Sequence, residues 1–116
     1  MQAPCDATLL RIFIGHDDTH QGRPLYEQIV LRARTLGMAG AMVTRGILSF
    51  GPASEEHRII LRQTEDLPIL VEIVDTDDKI EQFLPIIDGM IVSGMVTTEK
   101  LHVHRYGRGS GVGGAA

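Results

Sequence analysis

Tryptophan is absent from this 116-residue chain, and three phenylalanines and two tyrosines are its only other large aromatic side chains. A core must therefore be built from Leu, Ile, Val and Met. The single cysteine, Cys5, excludes an internal disulfide and fits a reducing compartment. No apolar run nears the ~20 residues that a membrane-spanning helix needs. The N-terminus has no basic segment leading into an apolar one, so it does not read as a signal peptide. A basic stripe is missing too: Arg11, Arg23, Arg32, Arg34, Arg45, Arg58 and Arg62 stand singly, and the formal net charge is -4. Nucleic acids and anionic membrane surfaces both select clustered positive charge. The expectation is a cytoplasmic protein that neither binds nucleic acid nor inserts into a membrane.

What is present suits one small globular domain, with 43% hydrophobic and 22% charged residues. Residues 9–14 form a short β-rich apolar run that Gly15 ends. A polar connector, 16–23, leads to Pro24, which suits a first helical position. Leu25, Ile29, Ala33 and Leu36 then share one helical face, and Gly37 fits a left-handed C-terminal cap. Residues 41–48 return to β character. The polar segment 51–66 reads as a long loop, with a helical turn near Ser54.

The strongest strand is 67–74, with Leu67, Ile69, Val71 and Ile73 on one face and Leu70 and Val74 on the other. Thr76 fits an N-cap, with Asp77 and Asp78 at the positive end of a helix dipole. Ile80, Phe83, Leu84, Ile87 and Ile91 keep helical spacing, Pro85 lies inside it as a kink, and Gly94 closes the region. A last strand spans 96–106, with His102 and His104 on one face.

The order β-α-β-loop-β-α-β predicts an α+β, ferredoxin-like domain over 9–106, a four-stranded antiparallel sheet with two helices on one face. Residues 1–8 are left as an N-terminal tail and 107–116 as a disordered Gly-rich tail. The sheet's second face keeps Leu9 and Phe13, which points to burial against another subunit.

Candidate sites are few. His16, Asp17, Asp18 and His20 gather imidazoles and carboxylates just past the first strand, so His16, Asp18 and His20 could ligate a transition metal. A polar strand-to-helix connector explains the same residues. His102 and His104 offer a second metal pair or simply a solvated strand face. Gly107 to Gly113 looks like a dinucleotide fingerprint without the helix that gives such a motif its phosphate affinity. Cys5, Ser49 and Ser54 lack the context of an activated nucleophile, so no enzyme is expected.

Several segments together carry a resemblance: L-R-I-F-I-G at 10–15 with Asp17 and Asp18, G-R-P-L-Y at 22–26, and A-M-V-T-R-G-I-L-S-F-G at 41–51. Glu65-Asp66-Leu67-Pro68, Val71-Glu72-Ile73-Val74-Asp75, Lys79-Ile80 and Arg105-Tyr106 extend it. The chain resembles an uncharacterised bacterial family related to PII signalling proteins. The resemblance implies a cytoplasmic homotrimer that binds a small-molecule effector, an adenine nucleotide or another anionic metabolite, between subunits. It also implies a mobile loop, here 52–65, presented to a transporter or enzyme. By this resemblance Gly51, Thr97, Thr98, Lys100 and Arg105 are the candidate ligand-binding residues. Lys100 would act as a point charge and Arg105 as a bidentate fork. The segment 94–100 departs from the family's phosphate loop, since Thr98 and Glu99 stand where glycines are usual. A related scaffold, the CutA group, keeps a metal-binding or metal-tolerance role open for the histidines. A ligand-free structural oligomer is the remaining reading.

Overall fold

Strict alternation organises the sheet. In β1 (Cys5–Gly15), Thr8, Leu10, Ile12 and Ile14 point to one side and are buried, while Leu9, Arg11 and Phe13 point to the other. The computed structural model describes residues 1–46 and 67–107. The expected loop over 51–66, with Gly51, and the Gly-rich tail from 108 onward lie outside the described residues, as does the end of the third expected segment at 47–48.

After β1 the connector folds into a small hairpin, β2 (Thr19–His20) and β3 (Arg23–Pro24), which its polar composition alone did not suggest. Its two central residues, Gln21 at φ 53° and Gly22 at φ 77°, have the paired positive φ of a tight primed turn. Pro24 stands immediately before α1 (Leu25–Thr35) as its N-cap, one place earlier than expected. Leu25, Ile29 and Ala33 bury one face of α1, whereas Leu36 stays exposed.

The helix ends in a Schellman arrangement: the Met38 amide donates to Ala33 and the Gly37 amide to Arg34, with Gly37 at φ 72°. The Lys79 ammonium donates to the exposed Leu36 carbonyl at 3.1 Å, placing a cation at the negative end of the dipole.

The chain continues through β4 (Ala41–Arg45), β5 (Pro68–Asp75), α2 (Asp77–Asp88) and β6 (Met95–Val103). Sheet order is β4-β5-β1-β6, every pair antiparallel, which is the ferredoxin-like α+β arrangement. Both helices lie on one face, because Leu25, Ile29, Ala33, Ile80, Phe83 and Ile87 pack in one cluster with Leu10, Ile12, Ile14, Ile69, Val71 and Ile73. Thr76 caps α2 by accepting from the Lys79 amide. α2 runs through Pro85 and stops at Asp88, before the apolar spacing runs out at Ile91. Among the described residues no helix is long and apolar enough to cross a membrane.

The central strand is longer than its apolar run. β1 starts at Cys5 because β6 pairs along it from Phe13↔Met95 down to Cys5↔Val103, so Cys5 to Thr8 belong to the sheet and not to a tail. β6 ends at Val103, leaving His104, Arg105 and Tyr106 past the strand.

Two positions hold the ends of α2 in place. Asp75 is 2% exposed, and its carboxylate accepts from the Ala39 amide at 2.8 Å and the Thr76 amide at 2.7 Å, joining the approach to β4 to the start of α2. Gly94 opens β6 at φ 155°, where a Cβ would stand 2.5 Å from the Phe13 carbonyl oxygen. Asp75→Ala is expected to cost about 1.5–3 kcal/mol in urea unfolding, since two amides lose a charged acceptor. Gly94→Ala is expected to cost roughly 1–3 kcal/mol, because backbone and not a flexible side chain must give way. A variant of either kind as stable as the parent refutes the corresponding contact.

Candidate functional site

β6 is an edge strand, and its register sorts the expected ligand residues onto two faces. Thr98 lies opposite Leu10, Lys100 opposite Thr8 and His102 opposite Asp6, all on the helix side. Thr97 lies opposite Arg11 on the open side, so Thr97 and Thr98 diverge. Arg105 is exposed past the strand's end, and Gly51 lies outside the described residues.

Lys100 is engaged. Its ammonium lies 2.8 Å from the Asp77 carboxylate, in the first turn of α2, and the Thr8 hydroxyl donates to the other oxygen of the same carboxylate. Lys100 first, then the Thr8 hydroxyl, hold the Asp77 pKa below its ordinary value, and Asp77 in turn raises that of Lys100. A lowered carboxyl pKa stabilises the fold above the unfolded-state pKa and is lost as pH falls through the folded-state value. Both groups meet solvent, so the effect on stability is small and screened by salt.

The open face carries an ionic centre in an apolar surround. Arg11 donates Nε–H to Glu72 at 3.1 Å across to β5 and Nη1–H to Glu99 at 2.9 Å across to β6. Hydrogen bonding to Glu72, then to Glu99, raises the Arg11 pKa, and one cation between two carboxylates leaves the group at net -1. Leu9, Phe13, Leu70 and Val74 flank it half-buried, with Met42 and Met95 more exposed. One clue to this centre is visible in the chain itself, a lone Arg11 interrupting the apolar positions of a central strand; the carboxylates that meet it come from segments 61 and 88 residues away.

On this face the Tyr106 hydroxyl donates to the Ala39 carbonyl at 2.8 Å, tying the chain after β6 to the approach to β4 at the opposite sheet edge. A cavity of about 440 Å³ lies there, between Met1, Leu9, Met42, Glu72, Val74, Val103 and Tyr106. A second groove of about 260 Å³ separates α2 from β6 at Leu84, Pro85, Ile87, Asp88 and Val96.

The residues after β1 behave as a structured connector. The Asp18 carboxylate accepts from the Gly15 amide at 2.9 Å, and its backbone carbonyl accepts from Leu25. His16 meets Asp17 at 3.3 Å and stacks 5.8 Å from Tyr26, while His20 pairs with Arg23 in the hairpin. Among the described residues no three His, Cys, Asp or Glu side chains stand close enough to share a metal ion, so His16, Asp18 and His20 are not gathered into a site of that kind.

Known proteins resemble this chain in sequence or in fold. A UPF0166 protein of Aquifex aeolicus (strain VF5) is 37% identical over 97 residues, covering 82% of this chain and 90% of the relative. A UPF0166 protein of Methanocaldococcus jannaschii is 28% identical over 100 residues, covering 85% and 93%. Among solved structures, a PII-like protein from Thermus thermophilus superposes with TM-score 0.62 at 17% identity, over 85% of this chain and 90% of that one. CPII of Thiomonas intermedia K12, a nitrogen regulatory PII-like protein bound to ADP, AMP and bicarbonate, gives TM-score 0.57 at 16% identity, over 87% and 91%. At those identities the structures establish the shared fold. Residues 7–103 match the family described as "Uncharacterized ACR, COG1993", and the chain belongs to that family, DUF190.

Proposed function

We propose that this protein is a PII-like regulatory subunit, not an enzyme, that assembles as a homotrimer and binds a small anionic metabolite or adenine nucleotide between subunits. The observation that carries the reading is the fold: the same four-stranded, two-helix unit is found in PII-like proteins, one of them solved with ADP and bicarbonate. The half-covered face around Arg11 supports association with further copies, since apolar surface of that kind is normally buried. Thr98, Lys100 and Arg105 supply the donors for an anion on the exposed β6 edge, and Thr97 reaches the other face. In this reading ligand binding biases Gly51 and the segment 52–65 toward presentation to a transporter or enzyme, as a population shift.

In this reading Asp77 competes with the ligand for Lys100. ADP, AMP, ATP and bicarbonate are the probes, read by thermal shift and titration calorimetry. At least one should stabilise the protein, by about 2.7 kcal/mol at a hundredfold excess over Kd. Lys100→Ala should abolish the shift. If none of the four probes raises the melting temperature, the nucleotide reading fails. Asp77→Asn frees the ammonium and is expected to tighten binding of the responding anion, whereas an unchanged Kd places the site away from Lys100.

A further inference from the structure

At the far end of β6, between Lys100 and Arg105, His102 and His104 face each other with ring centres 4.9 Å apart and ring planes at 80°. The His102 Nδ1 lies 3.0 Å from the Asp6 carboxylate on the neighbouring strand β1. A carboxylate only accepts, so Nδ1 carries the proton and the neutral ring keeps its lone pair at Nε2, facing away from Asp6. Carboxylate-oriented histidine of this kind is the usual outer shell of a metal-binding imidazole.

The spacing agrees with a shared ion. A cation about 2.0–2.1 Å from each ring nitrogen lies roughly 3.2 Å from each ring centre, so ligand angles between about 90° and 109° set the centres roughly 4.5–5.2 Å apart. Both side chains are exposed, and His104, past the end of the strand, can turn about χ2 to aim its nitrogen.

We propose that His102 and His104 form a two-donor site for a divalent transition-metal cation, with Asp6 orienting His102. Water fills the remaining positions, in keeping with the absence of a third grouped ligand among the described residues. Two imidazoles select borderline cations over Mg2+, with Cu2+ bound more tightly than Ni2+ or Zn2+. The site stands between two residues of the anion reading, Lys100 and Arg105, so its test contains no nucleotide and leaves both of them unchanged.

The full chain without an affinity tag is titrated with CuSO4, NiCl2, ZnSO4 and MgCl2 by calorimetry, with Cu2+ followed by its electron paramagnetic resonance. The expected result is one Cu2+ per chain, nitrogen-coordinated, with no response to Mg2+. His102→Ala and His104→Ala should each weaken Cu2+ binding at least tenfold, and Asp6→Asn about tenfold through the lost orientation. A His16→Ala/His20→Ala double variant should bind as the parent does. Cu2+ binding that survives in the His102→Ala/His104→Ala double variant, or that never occurs, overturns the proposal. Because Asp6, His102 and His104 are exposed, far-UV circular dichroism of their variants should match the parent, separating lost metal from lost fold.

Discussion

Everything in this fold depends on the two-sided alternation of β1. One set of its side chains, Leu10, Ile12 and Ile14, is the floor on which both helices rest. The other set, Leu9, Arg11 and Phe13, faces a surface that no element among the described residues fully covers. A shift of one residue in its pairing with β5 would exchange the two sets and put Arg11 under the helices. The ion pairs from Arg11 to Glu72 and Glu99 oppose such a slip, because they form only in the observed register. The same strand thus specifies the core and prepares the surface proposed for association.

The sheet's two edges differ in chemistry. β4 is short, and besides its ladder with β5 it is steadied by the Asp75 carboxylate and the Tyr106 hydroxyl, both of which reach backbone next to it. β6 is nine residues long and presents Thr98, Lys100 and His102 in a row on its helix side, where α2 leaves them exposed. Polar and charged groups on an edge strand discourage unwanted pairing with other strands, and they also stand where a ligand can reach them. The Lys100–Asp77 pair and the His102–Asp6 contact hold successive members of this row in defined positions.

Periodicity and capping chemistry made much of the architecture legible. The alternation over Ile69, Val71 and Ile73, the Thr76 cap and Gly37 at positive φ could each be read from a few neighbouring residues, because each is decided locally. Strand ends were less legible. Cys5 to Ala7 mix polar and small residues, and only pairing with β6 makes them β structure. The hairpin at Gln21-Gly22 was hidden because glutamine rarely takes positive φ. Lys100 was found as a candidate cation, but its partner Asp77 read as helix-dipole chemistry alone. Glu72 and Glu99 gave no sign of meeting at Arg11, since tertiary register and not spacing brings them there.

The central claim, a PII-like subunit that covers its open sheet face with further copies of itself, is tested most directly by mass in solution. Light scattering of the untagged chain at micromolar concentration is expected to give three times the 12.7 kDa of one chain. Arg11→Glu, which would place three carboxylates together on that face, should lower the mass toward that of a monomer. A parent protein that runs at the mass of one chain at every concentration would contradict the account.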